Sequence, residues 1–403
     1  MNHICHLCDR SGVEPLIEFG DHPIAHHFLT DAAQAEYTHP VTLGFCDRCG
    51  LTQLIDPISP EKFYTDYHCL SSWKWNPHVP RLLQMIGQLS GLRKDLAVLE
   101  VGSNDGGFLS ELVGQGFSRI LGIEPAQDAV AAAKQRGVPT RNAYFTPKVA
   151  HEISSSFGQC DLFISRQVLE HVTNLSDFAE AMRVVLRPGA HVLVEVPNFG
   201  FNQEAPDYSA IWEEHVNHFT LATLTRFLAD TGVEVLHNET AVFSGDILIV
   251  LGRYTGSRVN TPATPTEGRA KVFAYRDRWP GFRAAFHEYL AAERAAGRKI
   301  AVYGAGCRSC CLINYAGLRP HLAFALDDQP EKQGKFMPGS RLPVMPSDAL
   351  VNEGIGLCLL AVNAENEEKV INRHPAFVAR RGQFVSMHPP SPRLPAFWKQ
   401  FRQ

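Results

Sequence analysis

Residues 96–109 read LAVLEVGSNDGGFL, and this stretch decides the fold of the central part of the chain. Residues 96–101 form an apolar run of the kind found in buried strands. The run breaks into a glycine-containing turn, after which apolar residues recur with a helical period over 108–113. A strand, a glycine turn and a helix in this order predict a ligand-binding site at the end of the strand.

The next strand, ILGIE, ends at Glu124, which lies 22 residues after Gly102. An acidic side chain at this spacing can accept both hydroxyl groups of a ribose, so the pair predicts a nucleoside site. The turn GSNDG differs from the G-x-G-x-x-G turn that holds a pyrophosphate, and its acidic, polar character suits a cation such as the sulfonium of S-adenosylmethionine. The predicted cofactor contacts are Glu100, Gly102, Asn104, Asp105, Gly106, Glu124 and Gln167.

Strands and helices alternate through the rest of the central region. The pattern predicts helices at 126–136, 145–157, 174–187 and 220–231, and a sheet of seven strands that ends in a hairpin. Such alternation indicates an α/β fold, in which a mostly parallel sheet is covered on both faces and binds ligands at the carboxyl ends of its strands.

A second α/β unit follows the stretch TGSRVNTPATPTEGR at 255–269, whose Thr, Pro and Gly content indicates a linker. Helical stretches are expected on either side of Pro280, followed by the strand KIAVYGAG, a turn and a helix. The later strands HLAFALDD, GLCLLAV and GQFVSM complete the pattern. This order predicts a second Rossmann-like domain.

Four cysteines near the N-terminus form two pairs, Cys5-x2-Cys8 and Cys46-x2-Cys49, each followed by a turn-like stretch. The spacing is typical of tetrahedral thiolate coordination of zinc. Four soft ligands leave no open position, so the predicted zinc site is structural and stabilises a small domain with little core of its own. Idle or buried cysteines are the alternative interpretation.

The composition excludes several classes of protein. The 403 residues are 45% apolar and 20% charged, which is ordinary for two or three globular domains. Neither a signal-peptide pattern nor an apolar run near the ~20 residues of a membrane span occurs, so we expect a cytoplasmic protein without membrane contact. A net charge of −4 gives no broad basic surface for nucleic acid.

The second Rossmann-like domain carries two further features. In GAGCRS the turn ends in Ser309 rather than a third glycine, and Asp327 follows Gly304 by 23 residues, so either an NAD site or a substrate-binding role is conceivable. The remaining cysteines of the turn lack a second pair, and we expect them to be small apolar fillers on a helix: Cys307, Cys310 and Cys311.

Taken together these motifs resemble the deoxysugar C-methyltransferase family across essentially the whole chain. The motifs that carry the resemblance are the two cysteine pairs, VLEVGSNDGGFL, GIEPA, QVLEHVTNLSDF, Glu214-His215, AVYGAGCRSCCLINYAGL and DDQPEKQGKFMPG. The resemblance implies a zinc-binding domain at 1–70, a class I methyltransferase core at 71–255 and a Rossmann-like, substrate-binding domain at 256–403. It also implies methyl transfer from S-adenosylmethionine to carbon 3 of a nucleotide-linked 4-keto-6-deoxyhexose.

Three positions depart from the family pattern. Cys69 stands at the second aromatic position of Y-x-Y-x-S-S, and Trp212 replaces a tyrosine two residues before the Glu-His pair, which removes a hydroxyl group. Gln167 replaces an asparagine and is longer by one methylene. These changes concern the substrate rather than the fold.

The segment WEEHVNHF, residues 212–219, supplies the candidate catalytic groups. Forming a carbon nucleophile beside a ketone requires removal of a proton, and the neutral imidazole of His215 is our candidate base. Glu214 either orients that ring or contacts the substrate separately. The family match supports His171 as the donor to the enolate oxygen. A solvated loop, or a common helix-terminal histidine, is the alternative interpretation of these residues, and His218 is expected to be structural.

Other functions remain open from the sequence. Cys69 and Trp212 leave room for methylation of oxygen or nitrogen in another small metabolite. The turn GAGCRS with Asp327 would suit an NAD-dependent oxidoreductase. An adaptor for protein or RNA, built on the zinc site, is disfavoured because the chain lacks a basic stripe.

Overall fold

The computed structural model describes residues 3–63, 76–89, 93–259 and 266–402. Its strands are β1 (His3–Ile4), β2 (Ser11–Pro23), β3 (Thr38–Cys46), β4 (Thr52–Ile55), β5 (Ala97–Val101), β6 (Arg119–Glu124), β7 (Thr140–Asn142), β8 (Cys160–Arg166), β9 (Leu186–Pro197), β10 (Asn217–His218), β11 (Val233–Val242), β12 (Asp246–Tyr254), β13 (Ile300–Tyr303), β14 (Ala325–Leu326), β15 (Val344–Met345), β16 (Leu357–Leu360) and β17 (Gln383–Ser386).

The helices lie mainly between these strands. In chain order they are α1 (Pro60–Phe63), α2 (Val79–Gly87), α3 (Gly107–Gly114), α4 (Gln127–Gln135), α5 (Pro147–Ser156), α6 (Leu175–Val185), α7 (Phe199–Glu204), α8 (Leu221–Thr231), α9 (Thr266–Ala295), α10 (Cys307–Ala316), α11 (Ala349–Asn352), α12 (Glu367–Arg373) and α13 (Pro375–Ala379). Among the described residues no helix combines the length and the apolarity that a bilayer crossing requires.

The N-terminal region forms an antiparallel sheet in the order β1-β2-β3-β4-β10. Its fifth strand comes from the middle of the chain, because Asn217 pairs with Gln53 and His218 with Thr52. The segment 212–219 therefore lies against the cysteine-rich region. The sequence pattern does not predict this pairing, since the strand has only two residues.

The central region forms a seven-stranded sheet in the order β11-β12-β9-β8-β5-β6-β7. The five strands β9, β8, β5, β6 and β7 are parallel to one another. Strand β12 is antiparallel to β9 and forms the terminal hairpin with β11. This confirms the predicted α/β core with a terminal hairpin. Every residue of β5 and β8 is buried, as expected for strands that are covered on both faces.

The C-terminal region forms a parallel sheet in the order β15-β14-β13-β16-β17. The predicted second Rossmann-like domain is thus confirmed. One helix differs from expectation: the residues on both sides of Pro280 belong to a single helix, α9, and this helix begins at Thr266, inside the predicted linker. The apolar positions that face the core continue in register through the proline, and their burial holds the helix together.

Helix α9 joins the N-terminal and C-terminal sheets into one core. Its buried apolar residues lie on one face of the helix, because they are separated by three, four or seven residues: Val272, Tyr275, Phe282, Phe286 and Leu290. They share a hydrophobic cluster with Leu43 and Phe45 of β3 and with Val302 of β13. At roughly 1.5–3 kcal/mol for each fully buried apolar side chain, burial of these five stabilises the arrangement by on the order of 10 kcal/mol.

Arg308, in the first turn of α10, ties the C-terminal domain to the central one. Its Nη2 lies 2.6 Å from Asp207 Oδ2, its Nε donates to Ser209 Oγ at 3.1 Å, and its Nη1 donates to the carbonyl of Ser244 at 2.6 Å. Arg308 and Asp207 are both buried. A guanidinium whose fork is satisfied in this way fixes the orientation of the helix.

The variant Arg308→Met is expected to destabilise the protein by about 3–5 kcal/mol, because it leaves Asp207 buried without its counter-charge. Chemical denaturation followed by circular dichroism measures the change. The double variant Arg308→Met/Asp207→Leu is the control and should recover most of the loss, since both charges are then absent. Equal stability of the single variant and the wild type would show that the pair contributes little.

Candidate active site at the junction of three domains

The four N-terminal cysteines converge on one point. The sulfurs of Cys5 and Cys49 are 3.4 Å apart, those of Cys8 and Cys46 are 3.7 Å apart, and all four lie within 4.8 Å of one another. Tetrahedral coordination with zinc–sulfur bonds of about 2.3 Å places sulfurs about 3.8 Å apart, so the thiols fit a zinc ion. Matching turns, in which Asp9 N donates to Cys5 O and Gly50 N to Cys46 O, hold the two pairs.

His6, inside the first cysteine pair, connects this metal site to the segment 212–219. Its Nδ1 donates to Asn217 Oδ1 at 2.9 Å. The Nδ2 of Asn217 in turn donates to the carbonyls of Leu169 and Val172, at 2.9 and 2.7 Å. Leu169 is the first residue of the short 3-10 helix that contains His171, and Val172 follows that helix. One buried amide thus fixes the metal site relative to a predicted catalytic histidine.

The glycine turn after β5 has the shape expected of a nucleoside site. Glu124, at the end of β6, accepts the backbone N–H of Asn104 at 3.0 Å and that of Ala126 at 2.9 Å. Gly102 has φ +70°, and a Cβ there would lie 2.3 Å from Val168, so only glycine fits. Asn104 also has a positive φ, 49°. Such strain in a non-glycine residue occurs preferentially at functional sites.

Glu100 and Gln167 lie at neighbouring strand ends and share a buried polar network. Arg166 approaches Glu100 to 3.8 Å and Glu195 to 3.6 Å, and Gln167 Nε2 donates to Glu195 Oε1 at 3.0 Å. Burial raises the pKa of Glu100 to about 8. Neither Oε2 of Glu100 nor Oγ of Ser103 has a hydrogen-bond partner among the described residues. Both atoms are therefore available to a polar cofactor.

Two predicted contacts differ in their surroundings. Gly106 begins α3 with φ 72°, and a Cβ there would meet Val138 at 2.9 Å, so this glycine serves close packing. Asp105 accepts the N–H of Gly107 at 3.0 Å and pairs with Arg136 at 2.7 Å. Asp105 therefore has partners of its own in Gly107 and Arg136.

Two of the candidate catalytic residues, His171 and His215, lie together. Their ring centroids are 4.9 Å apart in an edge-to-face arrangement, and His171 Nδ1 lies 2.9 Å from the carbonyl oxygen of Glu214. A carbonyl only accepts, so Nδ1 of His171 carries the proton. Burial lowers the pKa of both histidines, that of His215 well below 6.5 with a contribution from the neighbouring His171. His215 is therefore neutral at pH 7.

Glu214 does not orient His215 through its carboxylate. Its Oε1 pairs with Nδ1 of His26, 3.0 Å away, and although burial opposes ionisation, this partner lowers the pKa of Glu214 overall. His26 follows β2 in the N-terminal domain, and Glu214 together with Glu213 raises its pKa against the effect of burial. The neighbouring Glu213 accepts the N–H of Ala25 at 2.6 Å. The N-terminal domain thus contributes directly to the site.

Trp212 and His218 flank this cluster. The Trp212 ring lies 3.8 Å from that of His215, so the residue that departs from the family pattern contacts the candidate base. His218 is buried on β10, its ring packs on Phe199, and burial lowers its pKa to about 3, in keeping with the predicted structural role. The departure at Cys69 lies outside the described residues.

The cysteines of α10 divide into two kinds. Cys310 and Cys311 are buried in the hydrophobic core, as predicted. Cys307 begins the helix, and its sulfur lies within 4.8 Å of ligand atoms of His26 and Glu214. The third domain therefore also reaches the site. The sequence predicted only a small apolar residue at position 307, because the pattern around it does not indicate which domain the side chain contacts.

The turn of the second Rossmann-like domain is occupied by its own side chains. Asp327 accepts the N–H groups of Ala305 and Gln329, both at 2.9 Å, and pairs with Lys332 at 3.3 Å. Ser309 Oγ donates to the carbonyl of Gly304 at 2.7 Å. The two backbone contacts match those of Glu124 in the central domain, and the ion pair with Lys332 is the feature that distinguishes Asp327.

Sequence reasoning did not single out His26, Glu170 or Glu213. Glu170 precedes His171 and is 1% exposed, and neither carboxyl oxygen has a partner among the described residues. Burial raises its pKa to about 8. The signal that could have identified Glu170 is an acidic residue directly before a candidate catalytic histidine in QVLEHV.

Comparison with known sequences divides the chain into three matched regions. Residues 5–64 match a zinc binding domain, residues 72–238 a methyltransferase domain, and residues 267–389 the C-methyltransferase C-terminal domain.

Curated relatives match at different lengths. The C-methyltransferase NovU of Streptomyces niveus is 29% identical, over 97% of this chain and 96% of that protein. A tRNA U34 carboxymethyltransferase of Hahella chejuensis is 25% identical over 33% of this chain and 39% of that protein. A solved SAM-dependent methyltransferase from Anabaena variabilis is 16% identical, with a TM-score of 0.37, over 45% of this chain and 86% of that one.

Cys46→Ala is expected to abolish zinc binding, because three thiolates leave the tetrahedral site incomplete. Metal analysis of the purified protein should show one zinc ion per wild-type chain and almost none in the variant. Cys358→Ala, which removes an equally buried thiol from β16, is the matched control and should keep its zinc. Full zinc content in Cys46→Ala would contradict the assignment.

Glu124→Ala is expected to weaken binding of S-adenosylmethionine about 10- to 100-fold, the cost of losing hydrogen bonds from a charged group. Titration calorimetry measures the affinity. Asp327→Ala, at the corresponding position of the second Rossmann-like domain, should leave it unchanged. A loss of affinity in Asp327→Ala alone would place the nucleoside in the C-terminal domain instead.

Proposed function

Because the chain belongs to the SAM-dependent C-methyltransferases that carry an N-terminal zinc-binding domain and a second, C-terminal Rossmann-like domain, we propose that it methylates carbon 3 of a nucleotide-linked 4-keto-6-deoxy sugar. A small-molecule substrate of this kind would bind where the three domains meet.

The observation that carries the proposal is a neutral, buried imidazole close to the cofactor edge. His215 is 7% exposed, and its lowered pKa leaves a lone pair available at pH 7. The turn of Gln167 to His171 follows β8, whose neighbour β5 ends in the cofactor turn. A base in this position suits removal of a proton from the carbon beside the ketone, the step that C-methylation of such a sugar requires.

The chemistry can be written for the residues of this chain. His215 takes the C3 proton, and the electron pair of the C3–H bond becomes the enolate of the neighbouring C4 ketone. S-adenosylmethionine, when bound, would supply the methyl group: its S–CH3 bond breaks as the methyl carbon bonds to C3, and neutral S-adenosylhomocysteine is left. The proton on His215 then passes to solvent. The product is the C3-methylated 4-keto sugar, with one proton released.

Other residues position the reacting groups. The backbone of Glu214 accepts from His171, and its carboxylate pairs with His26, so the Glu-His pair is anchored from two domains. Trp212 packs against the His215 ring and restricts its rotation. Holding reactants within about 3–3.5 Å in line accounts for much of the rate enhancement of such a reaction.

His215→Ala is expected to lower the exchange of the C3 proton at least 100-fold, because the base is lost. The assay follows the sugar by NMR in deuterated water, with and without S-adenosylmethionine. In the wild type, exchange should be lost as the pH falls through the pKa of His215, below 6.5. The product spectrum also distinguishes a methyl group on carbon from one on oxygen or nitrogen.

His218→Gln, which alters a buried histidine three residues away, is the matched control for general loss of packing and should retain exchange. Unchanged exchange in His215→Ala would remove His215 from the mechanism. If the wild type exchanges no 4-keto-6-deoxy sugar, the proposed substrate class is wrong.

A further inference from the structure

The enolate proposed above needs a hydrogen-bond donor at its oxygen, and His171 is poorly suited to be that donor. Its Nδ1 proton is used by the carbonyl of Glu214, 2.9 Å away. The lowered pKa of His171 keeps the ring neutral, so its other nitrogen carries a lone pair and accepts rather than donates. A group other than His171 must therefore donate the hydrogen bond to the enolate oxygen.

Glu170 is placed to supply it. One of its carboxyl oxygens and ring nitrogens of His171 and His215 all lie within 4.8 Å of one another. The side chain is almost fully buried, yet neither oxygen has a partner among the described residues. Burying a polar group without a partner is unfavourable, so its retention points to a partner that arrives with the ligand.

The distance suits the geometry of the substrate. If His215 removes a proton from C3, its nitrogen approaches C3 to about 3 Å, and the oxygen on C4 lies about 2.4 Å from C3. That oxygen is then at most about 5.5 Å from the base. A carboxyl oxygen of Glu170 lies within 4.8 Å of a ring nitrogen of His215, so a substrate held beside that ring can place its C4 oxygen within hydrogen-bond reach of Glu170.

We infer that Glu170 is a catalytic residue that remains protonated and donates a hydrogen bond to the C4 oxygen as the enolate forms. The inference rests on the proposed function. The proton stays on Glu170 throughout, while the C3 proton leaves through His215, so no further reactant is required. A carboxylic acid that is kept neutral by an apolar site can act in this way on an enolate.

The electrostatic surroundings agree with a neutral carboxyl group. Burial is the main cause that raises the pKa of Glu170 to about 8, and the charge of Glu195 on β9 adds to it. Glu195 is itself ionised, because Arg166 and His78 lower its pKa against the effect of burial. The nearest histidines, 171 and 215, are neutral. The donor is therefore present below pH 8 and is lost as the pH rises through that value.

The test compares Glu170→Gln with the wild type over pH 6–10. Glutamine keeps the shape and a donor at every pH, so kcat should stay within about tenfold of the wild type, while the decline of kcat above pH 8 disappears. Glu170→Ala should lose about 100- to 1,000-fold in kcat, the cost of one oxyanion donor, with little change in KM. Glu111→Gln, on the exposed face of α3, is the control and should keep the wild-type profile.

A measurement without substrate separates this inference from the proposed function. The infrared difference between the wild type and Glu170→Gln should show a protonated carboxyl stretch that disappears as the pH rises through about 8. If the wild type turns over but Glu170→Gln keeps the decline above pH 8, Glu170 is not the donor. A second metal ion per chain that Glu170→Gln loses would also overturn the inference, because Glu170 and the histidines would then be metal ligands.

Discussion

The side-chain amide of Asn217 holds the active-site region together. Its oxygen accepts from His6, between two of the cysteines, and its nitrogen donates to the carbonyls on either side of the turn with His171. The amide is buried and both of its N–H groups are used, so any displacement would leave polar groups unpaired at about 1–3 kcal/mol each. The metal site, the turn and the segment that bears His215 must therefore keep one relative position.

This constraint explains why a zinc domain with no open coordination position belongs to a methyltransferase. Four thiolates leave the metal unable to bind substrate, so its contribution is structural. The contribution reaches the active site because β10 pairs with β4 and because His26 of the same domain pairs with Glu214. The C-terminal domain adds Cys307 from the third side. The candidate site is therefore made by contacts between domains.

The buried carboxyl groups show how the surroundings set the charge. Glu214 has a lowered pKa because His26 pairs with it, whereas burial raises the pKa of its neighbour Glu213 to about 7 and that of Glu170 to about 8. Glu195 is kept ionised by Arg166 and His78. Chemically similar side chains a few residues apart thus hold different numbers of protons at neutral pH. Separation of this kind lets one site contain both bases and acids.

The sequence by itself determined what depends on local pattern. Apolar runs and glycine turns predicted the core strands of both Rossmann-like units, cysteine spacing predicted the zinc site, and the turn at Gly102 with Glu124 predicted S-adenosylmethionine. The family matches confirm the fold and both cofactors. Local pattern failed at the two-residue strand β10 and at α9, where tertiary burial overrode Pro280.

Only the tertiary structure decided which side chains meet. His26, Glu214 and Cys307 lie on three domains, and their spacing in the sequence does not show that they meet. The sequence could not separate the two roles of Glu214, whose carboxylate turns to His26 rather than to His215. The reason is that hydrophobic periodicity reports which face of each element is buried, whereas contact between elements depends on how whole domains pack.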